Sequence, residues 1–134
     1  MKKTLAILGC LCLAPALAAN VTAPPPVYGL WQNPHATVRV RIGACGQMLC
    51  GTVAAATSSA QADARAAGVN PLIGVQLLQG YHQVDTDRWA GRVFVPDMGR
   101  TFSSRIVQVT PDTLQISGCL IGGMLCKSQL WTRV

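Results

Sequence analysis

Residues 36–42 read Ala-Thr-Val-Arg-Val-Arg-Ile, and the alternation is strict: Val38, Val40 and Ile42 point one way, Arg39 and Arg41 the other. A period of two fits a strand with one face in a core and one in water, and fits no helix. The same period returns in RWAGRVFV, where Trp89, Gly91, Val93 and Val95 oppose Arg88, Ala90, Arg92 and Phe94. Between that segment and RTFSSRIVQV stands Pro96-Asp97-Met98-Gly99, a tight turn in which Gly99 suits a positive φ. Thr110-Pro111-Asp112 is a further turn, followed by TLQISG and LCKSQLWTRV. MLCGTVAA continues from the first alternating segment as the returning arm of a hairpin. LIGVQLLQGYH is apolar on both sides and predicts a well-covered strand.

One stretch breaks the pattern. From Thr57 to Gly68 the chain reads TSSAQADARAAG, in which Ser58 and Gln61 have capping-box spacing and Gly68 suits the residue after a helix. A short helix over 58–68 is predicted, with only alanines to pack. About eight short strands with hairpin turns and no βαβ alternation define the fold class as all-β. The expected architecture is an antiparallel up-and-down barrel, with a strongly bent sandwich as its rival, because closure removes exposed strand edges.

The front of the chain, MKKTLAILGCLCLAPALAAN, has two lysines, a short apolar run and Ala16-Leu17-Ala18. That is the form of a secretory signal over 1–18. A flexible lead-in then covers 19–27 and a single domain 28–134. The rival is a lipoprotein signal with Cys10 as the lipidated residue. No segment offers the roughly twenty apolar residues of a spanning helix, so the chain is not expected to be transmembrane. Periplasmic or secreted localisation follows as the expectation.

Beyond the leader lie Cys45, Cys50, Cys119 and Cys126. An even cysteine count in a small exported domain points to disulfides. Of the alternative pairings, Cys45–Cys50 and Cys119–Cys126 are favoured because each brackets a hairpin turn. A zinc site made of all four thiolates is the alternative, and the C-x4-C and C-x6-C spacings suit it poorly. No cofactor or metal is expected.

The chain carries eleven lysines and arginines against five aspartates and no glutamate, a net charge of +6. The basic residues are not gathered in a run, and aromatics are few, so nucleic acid is not an expected partner. Arg39, Arg41, Arg92 and Arg105, with Lys127, fall on outward faces by parity. They form either a solvated face or a cationic patch for an anionic envelope component.

Gly29-Leu30-Trp31 opens the first strand and Trp131-Thr132-Arg133 closes the last. This pairing resembles the signature of the lipocalin, or calycin, barrels, although the chain is shorter and its helix sits mid-chain. The resemblance implies that Arg133 lies over the Trp31 ring where first and last strands meet, and Gly29, Trp31 and Arg133 are the candidate closure residues. A partly desolvated contact of that kind contributes about 2 kcal/mol. A broader resemblance spans nearly the whole mature chain. LCG, VPDMGRTFSS and CKSQLWTRV together resemble the exported bacterial family called domain of unknown function 2147. It implies a small calycin-like barrel and carries no catalytic residues across.

The supply of catalytic groups is poor: His35, His82 and five aspartates. His82 near Asp85 and Asp87 reads as a solvated turn, Asp97 as a turn residue, and Ser103-Ser104 has no nucleophile elbow. A noncatalytic binding role is expected instead. The candidate wall of a ligand site in the barrel mouth comprises Tyr81, Trp89, Phe102, Ser104, Gln129 and Trp131, facing inward by parity. A pocket of aromatics with a few polar groups suits a small apolar or amphipathic ligand. The alternative is a barrel filled by its own side chains, acting as a structural or protein-interaction module of the cell envelope. Oligomeric state is not legible.

Overall fold

The computed structural model describes residues 9–14, 26–120 and 125–134. Most of the expected signal and lead-in, including Lys2, Lys3 and the Ala18 cleavage point, lies outside the described residues, as do residues 121–124. Eight strands and one helix follow in order: β1 (Gly29–Gln32), β2 (Val38–Cys45), β3 (Met48–Ala56), α1 (Ser58–Ala66), β4 (Gln76–Asp85), β5 (Arg88–Val95), β6 (Arg100–Thr110), β7 (Thr113–Leu120) and β8 (Leu125–Arg133). Each strand pairs antiparallel with the next, and β8 returns to β1 through Trp31 opposite Arg133 and Gln32 opposite Thr132. The sheet is therefore a closed barrel. Among the described residues no helix is long and apolar enough to cross a membrane.

Up-and-down connection defines two ends. The entry end holds the start of β1, the β2–β3, β4–β5 and β6–β7 turns and the last residue of β8. The far end holds the β1–β2 connection, α1, the β5–β6 turn, the end of β7 and the start of β8.

The core follows the period of two. Val40 and Ile42 are buried while Arg39 and Arg41 are exposed. Trp31, Val40, Val53, Leu78, Tyr81, Ile106 and Leu114 are almost fully enclosed. Burying side chains of this size contributes about 1.5–3 kcal/mol each. Arg88, Arg92 and Arg105 are exposed on the outer wall, the side that a lipid-embedded barrel needs apolar.

The helix departs from its expected start by one residue. Thr57, not Ser58, is the N-cap, and its hydroxyl accepts from the Ala60 amide. Gln61 therefore falls one position too late for a capping box, and its Nε2 donates to the Ala56 carbonyl instead. At the other end Gly68 has φ +86. The Gly68 amide donates to Arg65 and the Val69 amide to Ala64, a complete Schellman closure that satisfies the last carbonyls. Ala64 is buried, in one cluster with Leu72, Val69 and Phe94. Leu77 and Leu78 are both buried where β4 begins, as the two-faced apolar run predicts.

Three sequence boundaries move, one of them the start of the strand expected from Leu72, which begins instead at Gln76 after a turn at Ile73-Gly74. Val27, assigned to the lead-in, is fully buried and its carbonyl accepts from Trp31 Nε1 at 2.9 Å. The strand expected to end at His82 runs on to Asp85, and the turn is confined to Thr86 and Asp87.

Candidate functional site

At the entry end, closure is built from backbone carbonyls. The Arg133 guanidinium carbon lies 4.3 Å from the Trp31 ring centroid. Its Nη1 donates to the Tyr28 carbonyl at 2.8 Å, and Nε and Nη2 donate to Pro111. Nη2 also donates to the Pro26 carbonyl. Asp112 completes the set with an ion pair at 3.4 Å. Gly29 explains why this fits: a Cβ there would stand 2.7 Å from Arg133 Nη1, and φ is +130. The glycine of the Gly29-Leu30-Trp31 motif thus makes room for the guanidinium.

The same end carries a cleft of about 410 Å³. Its walls come from the residues before β1, the β2–β3 tip, the lower part of β4, the β4–β5 turn and the end of β6. Tyr28, Leu49, Tyr81 and Trp89 supply apolar surface; Gln47, Gln83 and Gln108 supply amides; Asp87 supplies the carboxylate. A second groove, about 430 Å³, lies at the far end between the β1–β2 connection and the end of β3, lined by residues such as Ala36, Val38, Arg39 and Ala56, with no aromatic ring.

Tyr81 reaches the interior through a break in the alternation. Leu78 pairs with Gly51 and Tyr81 with Leu49, and a register shift separates them along β4. Gly80, at φ +57, occupies that shift. A bulge lets two residues three apart face the same side. The Tyr81 ring then crosses Gly91, where a Cβ would meet its Cγ at 2.6 Å. Beyond the bulge Gln83 pairs with Trp89, so both line the cleft.

The interior holds polar atoms without partners. Tyr81 Oη, Ser104 Oγ and Gln108 Oε1 are buried and make no hydrogen bond. Burial pushes the Tyr81 phenol well above its ordinary value, and the nearby Ser104 hydroxyl offsets only part of this. The two hydroxyls are neighbours without reaching hydrogen-bonding geometry.

The residues expected to form one wall are divided by the structure. Tyr81 and Trp89 line the entry-end cleft, while Phe102, Ser104, Gln129 and Trp131 do not. Ser104 is buried on β6 opposite Gly91. Phe102 is half-buried, opposite Val93 toward the far end. Trp131 is buried opposite Leu114, with its Nε1 donating to Gln129 at 3.1 Å. Gln129 shares the inward face of β8 but is exposed, because β1 is too short to cover that part of β8. Lys127, expected outward, stands opposite Gly118 on that same inner face and is also exposed. The aromatic cleft opens at the same end as the Trp31–Arg133 closure. Tyr28, Leu49, Gln83, Asp87 and Gln108 were missed: Gln83 lies beyond the β4 bulge and Tyr28 and Asp87 lie outside the strands, whereas Leu49 and Gln108 fall on the inward parity of β3 and β6 and were passed over.

Disulfides join Cys45 to Cys50 and Cys119 to Cys126. The first ties the β2–β3 tip that forms one lip of the cleft; the second clasps the β7–β8 hairpin at the far end. Cys10 and Cys12 are exposed and unpaired. His35 lies exposed in the β1–β2 connection and His82 exposed on β4. Among the described residues no three His, Cys, Asp or Glu side chains gather where a metal ion could sit.

Among solved structures, the protein HP1028 from the human pathogen Helicobacter pylori, described as belonging to the lipocalin family, is similar to this chain. The TM-score is 0.62 at 13% identity, over 80% of this chain and 82% of that one. The likeness concerns the fold. No curated protein matches the sequence. A bacterial family profile covers residues 29–133, from the glycine beside the closing guanidinium to that guanidinium itself. The chain belongs to that family, described as uncharacterized protein conserved in bacteria, DUF2147.

Proposed function

We propose that this chain is an exported, noncatalytic binding protein that holds a small amphipathic molecule in the entry-end cleft. The observation that carries the proposal is the cleft itself. Its volume of about 410 Å³ falls in the range of small-ligand sites, and rings with a few polar groups are the usual lining of such sites. The lipocalin-like fold supports a binding role in general terms. The paired cysteines fit an oxidising compartment, which supports placement in the periplasm or outside the cell.

A filled barrel acting as an interaction module of the cell envelope is the second reading. Its support is the enclosed interior, where Trp31, Tyr81, Ile106 and Leu114 are almost fully buried. The two readings separate in a titration with the neutral fluorescent probe N-phenyl-1-naphthylamine. A binding protein gives saturable enhancement with quenching of tryptophan emission. Gln83→Trp, which fills the cleft from an exposed strand position, abolishes it, and Gln129→Ala leaves it intact. No saturable signal in the folded protein favours the interaction module.

A further inference from the structure

The charge of the cleft runs against the charge of the chain. Eleven lysines and arginines face five aspartates in the sequence. Yet among the described residues no basic side chain lines the cleft, and its charged residue is Asp87. Three of the chain's seven aromatic residues, Tyr28, Tyr81 and Trp89, stand around it. Aromatic faces carry partial negative charge and attract organic cations. The basic groups nearest the cleft are otherwise engaged or averted. Arg133 spends its donors on the Pro26, Tyr28 and Pro111 carbonyls and pairs with Asp112. Arg88 is exposed on the outer side of β5, opposite in parity to Trp89.

The polar groups agree. Asp87 has no ion-pair partner among the described residues, where the ion pair found is Arg133 with Asp112. Gln108 Oε1 is buried with no donor, and its amide nitrogen is turned to the Pro111 carbonyl. A ligand that brings N–H donors and positive charge satisfies both. An anion meets a carboxylate and a bare amide oxygen.

We propose that the entry-end cleft selects an organic ammonium ligand, its apolar part against Tyr28 and Trp89, behind which Tyr81 is enclosed, and its cationic nitrogen toward Asp87 and Gln108 Oε1. This rests on the binding reading of the same cleft. It specifies what that reading leaves open.

The test is a charge series of equal size: 2-phenylethylammonium, 2-phenylethanol and phenylacetate. Each is titrated by calorimetry and by displacement of N-phenyl-1-naphthylamine from the oxidised protein. The expected order is cation, then alcohol, then anion, with the cation about fivefold tighter than the alcohol for a partly exposed carboxylate. The net positive field of the whole chain favours the anion, so this order must come from the cleft. Asp87→Asn should erase the difference between cation and alcohol. That variant keeps the fold intact because Asp87 sits at φ +60, a conformation asparagine tolerates well. Equal affinities, preference for phenylacetate, or a preference that survives Asp87→Asn would overturn the proposal. If the dye binds and none of the three displaces it, the ammonium assignment fails and the binding reading stands. If the dye does not bind, both fail.

Discussion

At the entry end of the barrel the inward positions carry large rings: Trp31 and Tyr81 are fully enclosed and Trp89 nearly so. At the far end the inward positions of β8 hold Lys127 and Gln129, both exposed, and Leu125 is 64% exposed. Both ends have a disulfide hairpin and a groove of similar volume. They differ in what surrounds the groove. Near the entry end Arg133 binds three chain segments together through carbonyls, so that Tyr28 is held in place as a wall. At the far end β1 stops at Gln32 and leaves the upper part of β8 uncovered. A site needs fixed walls, and only the first groove has both rings and the bonds that fix them.

The largest expected effect comes from removing the stitch. Arg133→Ala deletes the cation–π contact and strands the Tyr28 carbonyl, at a cost of about 3 kcal/mol. Chemical denaturation should show the loss, and dye binding should weaken because Tyr28 loosens. An unchanged midpoint would mean that the entry end is not held by Arg133. Next comes Gly91→Ala, which forces the Tyr81 ring away from β5 because the new Cβ meets both Cγ and Cα of Tyr81 below 3 Å. Overpacking of this kind costs about 2 kcal/mol. A neutral variant would show that Tyr81 does not cross that glycine.

The disulfides allow the ends to be compared directly. Cys45→Ala with Cys50→Ala, and Cys119→Ala with Cys126→Ala, should each destabilise by about 2 kcal/mol in the chain-entropy model. Only the first pair should also weaken the dye, since it alone ties a lip of the cleft. Equal weakening by both pairs would erase the distinction between the ends.

The smallest effect is Tyr81→Phe, within about 1 kcal/mol at neutral pH, because the hydroxyl it removes has no partner. Its value lies in alkaline solution. Burial raises the phenol above its ordinary pKa of 10.0. The folded chain then holds the proton more tightly than the unfolded one, so stability is intact below that pH and declines as pH rises past it. Melting temperatures measured from pH 9 to 11 should fall more steeply for the native chain than for Tyr81→Phe. Parallel curves would place the phenol in contact with solvent.

Much of the barrel was legible because period-two alternation and turn residues act locally. Val38 to Ile42 declared a strand, and Pro96 to Gly99 a hairpin, where Gly99 takes φ +62. The pairing of Gly29, Trp31 and Arg133 was legible through a family signature, and Gly29's own reason emerged only from its distance to the guanidinium. The cleft was legible only in part: Tyr81 and Trp89 were expected in the wall, and its other residues were not. Strand parity assumes an unbroken ladder, and β4 breaks its ladder at Gly80. That break brings Tyr81 and Gln83 to the side where Trp89 stands, and no periodicity reports it. Lys127 and Gln129 show the complementary failure: parity assigns a face, but only the length of the neighbouring strand decides whether that face is covered.

The most direct test is to map a bound probe by NMR, using 15N-labelled oxidised protein and N-phenyl-1-naphthylamine. Shift changes concentrated at Gln47, Gln83, Asp87, Trp89 and Gln108 are what the entry-end assignment predicts. Changes gathered at Phe102, Gly118, Lys127 and Gln129 would contradict it and move the site to the other mouth.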